Sequence, residues 1–311
     1  MSNQHQKDRR IEPIFKLQTP VLFAHRGGAW EAPESTVMGF KHALENAQAD
    51  VLELDVQLTE DGEFIVWHGP DLDNVKILEQ SDRPAERKKR KIHHFKWREL
   101  EPGKAWVADP EVKLLDEKDI DLANVNMIED RCLLSLSDFL KKFPDVPLNI
   151  EMKKTFKRKI NESDRRGLRD NIRAFSEILA RDIGNRTIVV VSGYDDFIDE
   201  FRDLNGSKFS TGLSAQEQLL LRIIDLDMTN RALETTHVEL LSSKRTIEKV
   251  RRLGGSTFVF LTAFGPLKAI DKADDGPEKE QIFKILDRGV DGIMTDRPQR
   301  VRKLIDEWIK R

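Results

Sequence analysis

Short apolar bursts, separated by polar stretches that carry glycine or proline, set the pattern of this chain. Val21-Leu22-Phe23 is the first burst, and it ends in His25-Arg26-Gly27-Gly28. Over residues 36–47 the apolar positions fall at helical spacing, with Val37, Phe40, Ala43, Leu44 and Ala47 on one face. Residues 51–57 predict a strand. Alternate side chains of a strand share a face, so Leu52, Leu54 and Val56 lie on one side and Val51, Glu53 and Asp55 on the other. Asp61-Gly62 sits between two alternating runs, which predicts a hairpin, and Phe64, Val66 and His68 share a face of the returning strand.

Residues 69–131 are the least regular part. They hold the basic run Arg87-Lys88-Lys89-Arg90-Lys91, expected to be a solvated loop although it could also engage phosphate, lipid headgroups or a nuclear import receptor, and Trp97 and Trp106, expected to be packing anchors with a pocket wall as the alternative. A helix follows over residues 134–143, with Ser135 or Ser137 as its N-cap. Strand 146–150 leads into Glu151 and Lys153. Helix 167–183, strand 187–191, helix 195–204 and strand 208–213 come next. A helix from Gln216 is expected to run into a short strand near residues 223–228. Helix 238–253 is stopped by Gly254-Gly255, and strand 257–262, helix 278–288, strand 292–295 and a final helix opened by Pro298 complete the chain. Alternating strands and helices argue for a parallel sheet, and about eight such units suit a closed α/β (β/α)₈ TIM barrel, with an open doubly wound sheet as the alternative. The expected organisation is a polar tail over residues 1–18 and one barrel over residues 19–311, with a small insertion at roughly 69–131 after the second strand and its hairpin.

Of the 311 residues 39% are hydrophobic and 34% charged, enough for a core beneath a highly charged surface. The net charge of −3 provides no overall field toward nucleic acid or acidic membrane. One cysteine, Cys132, excludes an intramolecular disulfide and suits a reducing compartment. The first residues lack the apolar core of a signal peptide and no run has the length of a membrane span, so the expected location is cytoplasmic.

Glu53 and Asp55 carry the first chemical signal. On a covered sheet face two carboxylates repel each other and lose hydration, and a bound cation relieves both. On an open face they are ordinary surface acids, and the pair alone leaves both possibilities standing.

The wider pattern resembles a known family. His25-Arg26-Gly27, Pro33-Glu34-Ser35-Thr36, Glu53-Leu54-Asp55-Val56, Thr59-Glu60-Asp61-Gly62 and His68 follow the order HRG, PENT, ExDV, TxDG, HD of the glycerophosphodiester phosphodiesterases. Leu148-Asn149-Ile150-Glu151-Met152-Lys153 is similar to its LNIEIK, and residues 289–298 to its terminal GVDGIITDRP. The resemblance spans roughly residues 20–305 and is patchy in the middle. It implies the same barrel, and a metal-dependent phosphodiesterase that cleaves glycerophosphodiesters or lysophospholipids to an alcohol and sn-glycerol 3-phosphate or lysophosphatidate.

His25, Glu53, Asp55 and Glu151 all fall at or just after predicted strand ends, where barrel active sites lie. Three carboxylates suit one hard divalent cation, Mg²⁺ or Ca²⁺. The resemblance implies that His25 and His68 are the general acid and base, in an order left open, as is attack by water or by a substrate hydroxyl. Arg26 and Lys153 would hold phosphate, and Glu34 would orient a ligand, reach the metal or serve helix entry. The expected partner is a small phosphodiester or lysophospholipid, with peripheral membrane contact compatible and nucleic acid excluded.

Three departures stand out. The family's HD is His68-Gly69, PENT has Ser35, and WTVN aligns with Leu261-Thr262-Ala263-Phe264. The absent tryptophan points to a larger or more apolar alcohol. The second function class is therefore a catalytically weak barrel that binds phosphodiesters or lipids. No motif supplies the base that a lyase of phosphorylated sugars would need.

Overall fold

The two-residue alternation of the strands closes one wall around an interior. In a computed structural model, residues 14–69, 71–72, 75–77, 91–107, 130–153, 162–236, 242–261 and 276–311 are described. Strands β1 (Val21–Ala24), β2 (Val51–Leu58), β7 (Leu148–Met152), β8 (Ile188–Val191), β9 (Ser210–Gly212), β10 (Arg231–Thr236), β11 (Ser256–Phe260) and β12 (Gly292–Thr295) pair in parallel in that order. β12 then pairs with β1 and closes the barrel, with Phe23 opposite Met294. The open doubly wound alternative is thereby excluded.

Each strand sends one face to the helices and one to the interior. Leu52, Leu54, Val56, Leu148 and Ile150 pack outward with Phe40, Phe139 and Phe175. Phe23, Val51, Val189, Ala232, Phe258 and Met294 meet inside, with Phe15 against them. Ile14 and Phe15 fall in the segment expected to be a polar tail; instead Phe15 is buried and its ring seals the lower end of the barrel against Phe23 and Phe258.

The hairpin forms as predicted: Asp61-Gly62 turns β2 into antiparallel β3 (Phe64–Val66), and Gly62 adopts φ 82°. β3 ends at Val66, so His68 lies beyond the strand. β6 (Leu134–Ser135) pairs with β3, while β4 (Val75–Ile77) and β5 (Ala105–Val107) form a separate ribbon. Ile65, Trp67, Val75, Phe95, Leu100 and Val107 give this region its own small core, against which Trp97 packs. Residues 87–90 of the basic run lie outside the described residues.

Helix starts follow their caps. Thr36 accepts from the Gly39 N–H to open the helix Val37–Glu45, and Ser135 accepts from the Asp138 N–H to open Leu136–Lys142. Pro298 opens the last helix, Pro298–Ile309, as expected. Two expectations fail. The helix after β10 starts at Lys244, because Ser243 caps it by accepting from Thr246 N–H, and residues 237–241 lie outside the described residues. No strand forms at 223–228: the helix Ala215–Leu220 ends in turns there, and the strand is β10 at Arg231–Thr236. Among the described residues no helix is long and apolar enough to cross a membrane.

Candidate active site

The upper interior is built by the residues that follow the apolar layer on the same strand faces. On β2 the inward series Val51, Glu53, Asp55, Gln57 passes from core to charge. On β7 the series is Asn149, Glu151, Lys153, and the parallel register sets Asp55 opposite Glu151. After β1 the chain tightens into a turn at His25–Gly27. Arg26 takes φ 53° and Gly27 φ 83°. A Cβ on Gly27 would stand 2.9 Å from the Gly39 carbonyl carbon, so glycine lets the turn dock on the first helix. The turn aims the Arg26 backbone N–H at Glu53 Oε2, 2.9 Å away, and sets His25 Nε2 3.9 Å from the same oxygen.

All the sequence-predicted residues meet here. Glu53, Asp55 and Glu151 offer oxygens within 4.8 Å of one another. Lys153 Nζ bridges Asp55 Oδ1 at 2.9 Å and Glu151 Oε2 at 2.7 Å. Arg26 Nε lies 3.2 Å from Asp55 Oδ2, and its Nη1 reaches Glu34 Oε2 at 3.1 Å, so Glu34 touches the site through Arg26. His68 approaches from beyond β3 and feels Asp55, Arg26 and Lys153.

The charges are out of balance in a way that a divalent cation would correct. Burial, reinforced by Asp55, pushes the Glu53 carboxyl up to about 8. Burial also raises Glu151, against the pull of Lys153. Burial opposes ionisation of Asp55 too, but Lys153 and then Arg26 outweigh it and hold that carboxyl below its usual range. Both Asp55 oxygens are buried without a well-directed hydrogen bond among the described residues, although the two cations stand close. Three hard oxygen donors, one kept ionised and two with raised pKa values, are a donor set that fits Mg²⁺ or Ca²⁺.

The two histidines sit in opposite surroundings. Burial disfavours a charge on His25, yet Asp296 and then Glu53 outweigh it and raise its pKa. His25 Nδ1 lies 2.5 Å from Asp296 Oδ1. For His68 burial is the largest influence; Asp55 opposes it, Arg26 and Lys153 add to it, and the pKa falls to about 4.

A family model described as the glycerophosphoryl diester phosphodiesterase family matches residues 25–300. The chain belongs to that family. A glycerophosphodiester phosphodiesterase of Caldanaerobacter subterraneus is 47% identical over 55 residues, 18% of this chain and 22% of that protein. Human lysophospholipase D GDPD1 is 24% identical over 92% of this chain and 86% of its own length. An Oleispira antarctica phosphodiesterase, solved with the product sn-glycerol-3-phosphate, has the same fold at TM-score 0.62 and 16% identity, covering 92% of this chain and 97% of that one. The matches to the bacterial relatives span less than a quarter of those proteins' own length.

Four further residues complete this family member's site. Asp296, at the end of β12, lies inside the terminal motif that resembles TDRP, so the motif itself was the signal for it. Gln57 continues the Glu53–Asp55 face, and its Nε2 donates to the carbonyls of Trp67 at 3.0 Å, His68 at 3.1 Å and Gly69 at 2.6 Å. It thereby fixes the bend that carries His68. Phe260 sets its ring edge-on to His25, centroids 6.1 Å apart. Its neighbour Leu261, aligned with the family's tryptophan, packs outward between barrel and helices; residues 262–264 lie outside the described residues. The fourth residue is Glu234 on β10, which accepts from Asn149 Nδ2.

Proposed function

We propose that this mouth hydrolyses phosphodiesters of glycerol with one divalent cation, Mg²⁺ or Ca²⁺, held by Glu53, Asp55 and Glu151. The substrates are glycerophosphodiesters or lysophospholipids, and the products an alcohol with sn-glycerol 3-phosphate or a lysophosphatidate. The convergence of three carboxylates, two histidines and two cations on one barrel mouth carries this function. The glycerophosphodiester phosphodiesterase and lysophospholipase D activities named for the relatives, and the product bound in the Oleispira protein, support the same chemistry. We take residues 19–311 as one barrel with an insertion at roughly 69–131, and we assign it to the cytoplasm, where the buried thiol of Cys132 stays reduced.

When bound, the cation supplies Lewis-acid polarisation of a phosphoryl oxygen. Arg26 and Lys153, already aimed into the cluster, grip the remaining phosphate charge. His68, kept neutral among cations, accepts the proton of the attacking oxygen. His25, held charged between Asp296 and Glu53, gives its Nε2 proton to the departing alkoxide. Asp296 fixes the tautomer by holding Nδ1–H, which leaves Nε2 toward the reacting centre.

The test is turnover of glycerophosphocholine, glycerophosphoethanolamine, glycerophosphoinositol, lysophosphatidylcholine and bis-p-nitrophenyl phosphate, each with chelator, Mg²⁺ or Ca²⁺. Chelator-sensitive release of alcohol or p-nitrophenol is expected. Saturable binding without turnover, by folded protein, would instead make the chain a phosphodiester-binding module.

A further inference from the structure

A further acidic side chain, Glu234, faces the same interior with no cation against it among the described residues. Glu234 lies two residues above Ala232 of the apolar layer on β10, so it points inward. Its Oε1 accepts from Asn149 Nδ2 at 2.5 Å. Asn149 is fully buried, opposite Glu53 in the β2–β7 register, and one strand step, about 7 Å, below Glu151. The Glu234–Asn149 pair therefore links β10 to β7 inside the barrel, level with Glu53 and one step below Asp55 and Glu151. Because Phe15, Phe23 and Phe258 seal the lower end, the part of Glu234 that remains exposed opens to the mouth.

The pair is rich in acceptors and short of donors. Among the described residues no lysine, arginine or histidine influences Glu234; burial, opposed by Asn149 and reinforced by the Glu151 carboxylate, pushes its carboxyl up to about 7. The Asn149 amide oxygen, also buried, has no hydrogen-bond partner among the described residues. Buried acceptors of this kind are costly unless something supplies donors. A phosphodiester anion carries none. The donors on the proposed substrates are the hydroxyls of glycerol, or the ammonium of some headgroups, and the compact uncharged hydroxyl suits a deep position beneath the phosphate.

We propose that Glu234 and Asn149 form a subsite for the hydroxyl groups of the substrate's glycerol moiety, an inference that rests on the phosphodiesterase function above. A subsite built to bond hydroxyls discriminates strongly against analogues that lack them, because its polar groups are then left unpaired.

Three diesters separate the sources of the donor: glycerophosphocholine has hydroxyls only, propylphosphocholine has neither donor, and propylphosphoethanolamine has an ammonium only. Wild type should favour the first over the second by on the order of 100-fold in kcat/KM, mostly through KM. In Glu234→Ala that ratio should collapse to a few-fold, with Glu234→Gln, which keeps a link to Asn149, in between. Equal losses on the hydroxyl-bearing and hydroxyl-free substrates would make the pair merely structural, and a selective loss on propylphosphoethanolamine would make it an ammonium site; either overturns the proposal. Calorimetric binding of sn-glycerol 3-phosphate against propyl phosphate reads the subsite without turnover. A wild-type preference that Glu234→Ala removes supports it, and equal binding of the two ligands by wild type overturns it. That preference in a protein that cleaves none of the diesters would count against the phosphodiesterase function alone.

Discussion

The floor and the mouth of the barrel come from the same strands, one two-residue step apart, and follow opposite rules. Phe23 precedes His25, Val51 precedes Glu53 and Asp55, and Met294 precedes Asp296. At the floor the rings of Phe23 and Phe258 stand 4.7 Å apart, and Phe15 closes over both. Burying each such ring stabilises the fold by about 1.5–3 kcal/mol. Higher on the same faces, burial works against the fold: it pushes Glu53 up to about 8 and leaves Asp55 with no well-directed hydrogen bond among the described residues. The floor holds the barrel together, and the mouth stores charge that a cation and a phosphate would relieve.

That contrast breaks most visibly at Glu53. Glu53→Gln should lower chelator-sensitive turnover by roughly 10⁴-fold while the melting temperature of the metal-free protein stays level or rises, since a costly buried carboxyl is gone. Near-normal activity in that variant would remove Glu53 from the metal site. Phe23→Ala should do the reverse, costing about 3–5 kcal/mol of stability in a denaturant titration, with turnover per folded molecule largely kept.

The remaining predictions sharpen the comparison inside the mouth. Asp296→Asn removes the largest influence that raises the His25 pKa, leaving burial less opposed. Turnover should fall about 100-fold, and the alkaline limb of the pH–rate profile should move to lower pH, because His25 loses its proton sooner. An unmoved limb would separate His25 from that proton transfer.

Glu234 tests the same logic through stability. Its folded pKa of about 7 lies above the ordinary 4.5, so between those values the folded state binds a proton that the unfolded state has released. Stability therefore falls as pH rises through that window and levels off above it. With chelator present, wild type should lose about 2 kcal/mol more than Glu234→Gln across that window, as read by denaturant midpoints. The smallest effect is expected at Gln57. Gln57→Leu frees the three carbonyls around His68 and should lower kcat about tenfold, shifting the limb that reports His68 while leaving KM nearly unchanged; a pure KM effect would disprove its positioning role.

The five motifs, the run 148–153 similar to LNIEIK and the inward period of β2 made His25, Glu53, Asp55 and Glu151 legible before any fold was known, because metal and phosphate chemistry needs those residue types at strand ends. The cap at Ser135 and the hairpin at Asp61-Gly62 were legible for local reasons: a side-chain oxygen meets a free N–H, and glycine takes a positive φ. β10 was hidden for a physical reason too. Its inward positions line the polar mouth, so Arg231–Thr236 lacks an apolar alternation, whereas Ile223 and Ile224 look like a strand and are exposed turn residues. Glu234 was missed with it.

By itself, then, the sequence determined the alternation of strands and helices, the family, and the residue types of the site, since each rests on spacing along one segment. Only the tertiary structure decided that Asp296 holds His25 across 271 residues, that Gln57 carries the bend at His68, that Phe15 plugs the floor and that Asn149 meets Glu234. Apart from the Gln57 contact, which the β2–β3 hairpin makes, they join segments that barrel closure brings together, and no local periodicity encodes which inward side chains will meet across the interior.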